Sequence, residues 1–218
     1  EYSGALRNPL KGFRPDTGRN ISRSRYVTLA RHYIKWNDLE KKNTDDLVAN
    51  ILAYSERKWA KFHGTGVKVI PRVYLDWDRE SGNEYWPSDL KSGDYSSPEF
   101  KRRVLRLVKA MGECWDRDPR VAWIQMGIIG FWGEHHNPHP NLEMQELLGT
   151  AFEKAFQNKR VLVRHPGEFV DFEFGVYWDS WAHNQQTFRQ MHGAGIDRLN
   201  TTKGRWMTHP IEGEAAYN

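Results

Sequence analysis

The sequence predicts an α/β fold, a TIM-type (β/α)8 barrel that is truncated or lacks its eighth unit. Three observations carry that expectation. Apolar segments of strand length alternate with longer amphipathic helical patterns, the order that lays crossover helices over a parallel sheet. Segment after segment ends in polar or charged residues, as the strands of such barrels do at their carboxyl ends. The chain has 218 residues, enough for one large domain with a real core and too few for two comfortable ones, and shows no repeat, low-complexity tract or linker. A single domain over residues 1–218 is therefore expected.

The elements follow in order. The NPLKGF stretch at 8–13 precedes or contains an opening strand, and YVTLARHYIKW at 26–36 is a strand running into a polar end. Asn43 or Thr44 then caps a helix whose inner face holds Leu47, Val48, Ile51, Leu52 and Trp59. VKVIPRVYLDW at 67–77 opens after Gly64 and Gly66, which stop that helix. Ser97-Pro98-Glu99 is a helix start: a capping hydroxyl, a proline in the first turn and an acid near the helix dipole. Phe100, Val104, Leu107, Val108 and Met111 make its buried stripe. A strand at 123–132, a helix at 142–156 with Leu147, Leu148, Ala151 and Phe152 inward, and short strands at 160–164, 175–181 and 205–209 complete the series. Counting the first segment gives seven β units, one short of a closed eightfold barrel.

Composition narrows the function. Ten Trp, nine Tyr and ten Phe make 13% of the chain aromatic, while 28% is charged. That combination fits an aromatic-lined cleft, whose faces hold sugar rings through their axial C–H groups. No run of about 18 apolar residues exists, so no membrane partner is expected. The net charge is +4, but the basic residues are scattered, with only short groups at 19–25 and 101–103. They read as solvated faces, and no nucleic-acid partner is expected. Cys114 is the single cysteine; it permits no internal disulfide, leaves the compartment open and reads as structural.

The most informative stretch is AWIQMGIIGFWGEHH at 122–136. A buried strand cannot carry a carboxylate within it, but it can deliver one at its carboxyl end, and here it delivers Glu134 beside His135 and His136. A solvated acid in a polar turn is the plain alternative; Trp132 and the flanking glycines favour a pocket. The other strand ends supply Arg72, Tyr74, Asp76 and Asp78, then Arg164 and His165, then Tyr177, Trp178, Asp179 and His183, and finally His209, Glu212 and Glu214. In RVYLDW, alternation puts Arg72, Tyr74 and Asp76 on one face and Val73, Leu75 and Trp77 on the other.

Cleaving a glycosidic bond needs two carboxyl groups, one to protonate the leaving oxygen and one to attack or to activate water, at about 5–5.5 Å for retention and roughly 6.5–9.5 Å for inversion. Glu134 and a glutamate after the seventh strand would face one another across the rim, with burial and a nearby second carboxylate keeping Glu134 protonated. Spacing does not choose between Glu212 and Glu214. Trp132, Trp178, Tyr74 and Trp86 would stack on sugars. Arg72, Arg164 and His209 would orient carboxylates or bind hydroxyls or acidic substituents, unless the arginines simply pair with Asp76 or Glu134. Asp76, His135, His136 and Asp179 complete the expected substrate contacts, although Asp179 also suits a turn cap. The spacing His-His-x-x-His, with His139 between prolines, matches no helical zinc motif, so no metal and no cofactor is expected.

NPLKGF, RVYLDW, DRDPRVAWIQMGIIGFWGEHH, RVLVRHP and PIEGE together resemble a bacterial domain family of unknown function found among polysaccharide-degrading genes. That family in turn resembles the large clan of retaining glycoside hydrolases built on (β/α)8 barrels. The resemblance covers nearly the whole chain. It implies an acid/base on the fourth strand, matching Glu134, and a nucleophile on the seventh. The family's closing Gly-Gly-Glu aligns with Glu212-Gly213-Glu214 and favours Glu214. Two departures stand out: Glu212 replaces the first glycine, and Gly133 stands where clan members carry an asparagine before the acid/base. Members usually continue well beyond this point, so truncation is expected. The function implied is hydrolysis of a poly- or oligosaccharide, in a secreted or periplasmic setting although no signal peptide is present. A carbohydrate-binding barrel without catalysis, and a metal-assisted hydrolase or lyase using His135 and His136, are the rival readings. The sugar, the linkage and the oligomeric state are not legible.

Overall fold

The computed structural model of the chain describes residues 10–18, 27–181 and 207–215, without the side chains of 179–181 and 215. Seven strands are named: β1 Leu29–Lys35, β2 Lys68–Asp76, β3 Ile124–Gln125, β4 Ile128–Phe131, β5 Val161–Val163, β6 Gly175–Trp181 and β7 Ile211–Ala215. Between them lie α1 Trp36–Leu39, α2 Leu47–Trp59, α3 Pro98–Trp115 and α4 Leu142–Ala155. Every strand pairing is parallel, in the orders β1-β2-β4 and β3-β5-β6-β7.

The two sheets are halves of one. β3 and β4 lie on a single path that runs beside β2 from Val121, where Val69 donates to Arg120 O at 2.7 Å, and beside β5 through the Ile124↔Val161 pair. The path breaks at Gly127, where a Cβ would sit 2.0 Å from Val73 O; only glycine fits so close to the neighbouring backbone. On the far side of β1, residues 13 and 16 bridge Val27 and Arg31 in parallel. The opening strand thus falls at the end of NPLKGF and just beyond it, with Asn8 and Pro9 outside the described residues. Counted from that segment, the β3/β4 path is the fourth strand and β7 the seventh.

Strand alternation divides the side chains between two layers. Leu29, Ile70, Trp123, Leu162 and Tyr177 form a small cluster on the concave face. Ala30, Ile34, Val69, Val73, Leu75, Ile124, Val161 and Val163 point to the other face and meet Ile51 and Trp59 of α2, Phe100, Val104 and Leu107 of α3, and Leu148 and Phe152 of α4. His32 belongs to that outer layer, accepting from the Trp59 indole at 2.7 Å, and burial lowers its pKa to about 4. Ser97 caps α3 as the sequence predicts, its hydroxyl accepting from Phe100 N–H at 3.2 Å. Cys114 is buried.

Three local expectations are corrected. The cap of α2 is Asp46, bonded to Ala49 N–H, and neither Asn43 nor Thr44: the run 43–46 offers several capping side chains, and the first buried residue, Leu47, decides among them. Leu52 is 45% exposed, because the inward face of α2 passes through Ile51, Tyr54, Ser55 and Trp59 instead. The last strand is Ile211–Ala215, whereas 207–209 form a turn; Pro210 lacks an N–H yet its carbonyl accepts from Val176 at 3.2 Å, so pairing with β6 begins there. Arg205 and Trp206, like His183 and residues 19–25, lie outside the described residues.

Candidate active site

The carboxyl ends of the strands form one rim, and Glu134 is held there by an unusual turn. Trp132, Gly133, His135 and Asn137 all have positive φ, and Glu134 N–H donates to Phe131 O while His135 N–H reaches back to Ile129 O. Non-glycine residues in that region cost strain, which concentrates at functional sites. Glycine suits position 133, where φ is positive and a Cβ would stand a tight 3.0 Å from Gly127 Cα. The result is a carboxylate only 5% exposed, returned into the mouth of the sheet.

Four arginines and three glutamates fill that mouth. Arg72, 1% exposed, donates through Nη1 to Glu134 Oε1 at 2.6 Å and to the Tyr33 hydroxyl at 2.9 Å, and through Nε to Gln125 Oε1 at 2.7 Å. Arg164 Nη2 lies 3.6 Å from Glu134 Oε2, with its guanidinium over the Trp178 ring at 4.4 Å. On β7, Glu212 accepts from the Trp123 indole at 2.8 Å and from Gln125 Nε2 at 2.6 Å, and pairs with Arg14. Glu214, two residues on and nearer the rim, accepts from Arg31 at 2.8 Å and 3.4 Å, and Arg31 is braced by Asp16 at 2.7 Å. The Arg31 and Arg72 guanidiniums lie over the Tyr33 ring at 4.6 Å and 4.8 Å. A single tyrosine thus separates the arginine that holds Glu134 from the one that holds Glu214.

The neighbouring charges set the direction in which each acid is shifted. Burial pushes the Glu134 carboxyl up, but the Arg72 and Arg164 charges and the Arg72 hydrogen bond together outweigh it, leaving the group below its ordinary value. The charge of Glu214 acts on it in the opposite sense. Burial likewise pushes Glu214 up, and Arg31, with the charges of Arg14 and Arg72, more than cancels it. The expectation of a Glu134 kept protonated by burial and a second carboxylate is therefore overturned: alternation aims Arg72 inward at the same level, and its full charge is nearer than any other.

The other expected residues divide. Trp132 and His136 are half-buried at the rim beside Glu134, their rings 5.5 Å apart and His136 Nε2 3.9 Å from Glu134 Oε2. Trp178 is half-buried beside Arg164 and His165. Tyr74 is buried beneath Tyr33, Trp77 and Tyr85, so it supports the rim and offers no face to a sugar. Asp76 and Trp86 leave the site altogether. Asp76 accepts from the Trp86 indole at 2.7 Å and from the Tyr95 hydroxyl, and those rings pack against Phe100 of α3. Trp77, expected on the outer face, stands at the rim instead, its ring 6.4 Å from Trp132 and 5.7 Å from Tyr33.

His135 is fully buried, its Nε2 3.0 Å from Gly127 O and its ring against Phe169; burial lowers its pKa to about 3, so it is a neutral strut. His139 turns to Glu168 at 2.7 Å, and the three histidines of the His-His-x-x-His run diverge. No group of three His, Cys, Asp or Glu among the described residues is placed to hold a metal. His209 precedes β7 and so stands at its amino end, away from the rim; Asp179 lies in β6 with its side chain outside the described set. The sequence reading missed Arg14, Arg31, Tyr33, Gln125 and Trp77. A signal was present for two of them: an arginine and a glutamine within buried strands need partners.

The sequential parallel strands and the helices packed outside them are those of part of an α/β barrel. No family model matches the chain and no curated protein matches it in sequence. In structure it is similar to endo-glycoceramidase II from Rhodococcus sp. as a lactosyl-enzyme intermediate (TM-score 0.54, 10% identity, 94% of this chain and 72% of that one). The same enzyme with ganglioside GM3 gives TM-score 0.54 and 13% identity over 93% of this chain and 65% of that one. The exo-beta-1,4-mannosidase Op5Man5 from Opitutaceae bacterium strain TAV5 gives 0.50 and 11% over 70% and 31%. The chain thus spans about a third of the mannosidase and about two thirds of the glycoceramidase, and at these identities the likeness is one of fold. No helix among the described residues is long and apolar enough to cross a membrane.

Proposed function

We propose that this chain forms the barrel of a glycoside hydrolase acting on a poly- or oligosaccharide, with Glu214 as nucleophile and Glu134 as acid/base. One observation carries the reading: glutamates from the fourth and seventh strands converge on one rim, linked through Arg72, Tyr33 and Arg31. Glu214 suits attack on the anomeric carbon. Arg31 keeps it ionised, and its side chain is 28% exposed, against 4% for Glu212. Glu212 is enclosed by Trp123, Gln125 and Arg14 and serves to hold the opening segment against β7. Glu134 would protonate the leaving oxygen and then activate water. Its two arginines make that proton scarce except in acid. Trp132, His136 and Trp178 line the cleft, and Arg164 steadies the Glu134 carboxylate.

The same Glu134–Arg72 pair favours a second reading, a carbohydrate-binding barrel in which Glu134 only accepts hydrogen bonds. Assaying wild type and Glu134→Gln against purified polysaccharides and aryl glycosides separates the two. A hydrolase loses several powers of ten in turnover while still binding. A barrel whose wild type binds sugars with no turnover, and whose variant binds equally well, is a binder.

A further inference from the structure

A polar side chain that the proposed chemistry leaves unused lies between the two acid-bearing strands. Gln125 of β3 is fully buried, and it joins a residue of β2 to a residue of β7. Its carbonyl oxygen accepts from Arg72 Nε at 2.7 Å, and its amide donates to Glu212 Oε1 at 2.6 Å. Chemistry dictates the direction of that amide: a guanidinium only donates and a carboxylate only accepts, so the oxygen faces Arg72 and the nitrogen faces Glu212. Glu212 is anchored in turn by the Trp123 indole at 2.8 Å and by Arg14. The bridge runs from there to the guanidinium that donates to Glu134 at 2.6 Å.

We infer that Gln125 is a positioning residue: clamped by Glu212, it aligns Arg72 on Glu134, so that an acid of the seventh strand orients the charge beside the acid of the fourth. The inference rests on the glycosidase reading for the role of Glu134 and deepens it. Gln125 holds the Nε end of the guanidinium, while Nη1 serves Glu134 and the Tyr33 hydroxyl at 2.9 Å. The rings of Tyr33 and Tyr177, 4.8 Å and 4.4 Å away, limit its travel, and the bond at Nε fixes its rotation between them. Besides Arg72, Glu134 is faced by Arg164 and His165 after β5, His136 on its own turn, Tyr33 on β1, Tyr177 on β6 and Glu214 on β7. Arg164 and His136 stand 3.6 Å and 3.9 Å from it, so Arg72 at 2.6 Å is the charge whose alignment Glu134 feels most.

The test compares wild type with Gln125→Met, which keeps the side-chain length without either hydrogen bond, and Gln125→Asn, which keeps an amide too short to span both partners. Carbon-13 NMR of the glutamate carboxyls, with Glu134 assigned through Glu134→Gln, reads its titration. Nitrogen-15 NMR reads exchange of the Arg72 Nε–H, and circular dichroism checks the fold. In wild type that Arg72 proton is one slowly exchanging signal. In both variants it exchanges about tenfold faster. The Glu134 midpoint rises by about one pH unit, less than in Arg72→Met. The basic limb of kcat/KM on aryl glycosides moves up with it. The same NMR changes in a chain without turnover uphold the positioning role and remove only the hydrolase reading. An unchanged Glu134 midpoint in a folded variant overturns the inference. Should neither variant fold, wild type decides: an Arg72 Nε–H exchanging as fast as that of a solvated arginine overturns it, and a single protected signal upholds it.

Discussion

Replacing Arg72 by methionine keeps most of the volume at the centre of the site and removes its charge. Arg72 is 1% exposed with Nη1 2.6 Å from Glu134 Oε1, so each charge is tolerable there because of the other. Breaking a buried pair from one side costs about 3–5 kcal/mol, because the remaining carboxylate stays desolvated. Arg164 at 3.6 Å offsets part of this, which places the expected loss near the lower end, about 3 kcal/mol. The loss depends on pH. In wild type the folded Glu134 carboxyl lies below its ordinary 4.5, so its ionisation stabilises the fold above that value, a contribution lost as pH falls through the folded value. In Arg72→Met burial governs instead and raises the carboxyl, so the variant suffers most near neutrality and approaches wild type in acid. Urea unfolding of wild type, Arg72→Met, Glu134→Gln and the double variant, near pH 7 and near pH 4, measures both effects. The penalty should shrink in acid, and the cycle should show a coupling above about 1 kcal/mol at neutrality. An equal penalty at both pH values with additive single changes would refute the ion-pair account.

Two further outcomes follow from the same electrostatics. A hydrolase that uses Glu134 as acid in its paired state loses kcat/KM as pH rises through a value below the ordinary carboxylate range, so its profile is confined to acid; activity level up to pH 8 would remove Glu134 from that role. Glu212→Gln strands the buried Arg14 guanidinium and should cost about 3 kcal/mol in urea unfolding. Glu214→Gln, on the more open side chain, should cost under about 1 kcal/mol while abolishing turnover; the reverse ordering would exchange their roles.

Much of the site was legible before any coordinates. Glu134 stood out because an apolar strand ended in a single acid, and the structure puts it in the rim. The neighbours were harder to read. In 26–36 the alternation Leu29, Arg31, Tyr33 was visible, but nothing local told which face closes on β7, 183 residues from Arg31 in the case of Glu214. Asp76 and Trp86 were misplaced because each is the other's partner: the Trp86 indole and the Tyr95 hydroxyl both donate to Asp76, contacts across ten and nineteen residues that alternation does not show. Tyr74 and His135 had suitable chemistry but are covered, Tyr74 by Tyr33, Trp77 and Tyr85 and His135 by Phe169.

Pattern along the chain determined the parallel α/β order, the helix starting at Ser97, the inner faces of α3 and α4, and the acid that follows the fourth strand. These depend on residues within a few positions of one another, whose periodicity and capping act locally. The tertiary structure alone decided which acid is open and which is enclosed, that arginines hold the Glu134 carboxyl below its ordinary value, and which aromatics reach the rim. Each of those outcomes depends on charges and faces brought together from separate strands, at distances where a few ångströms decide whether burial or a neighbouring guanidinium prevails.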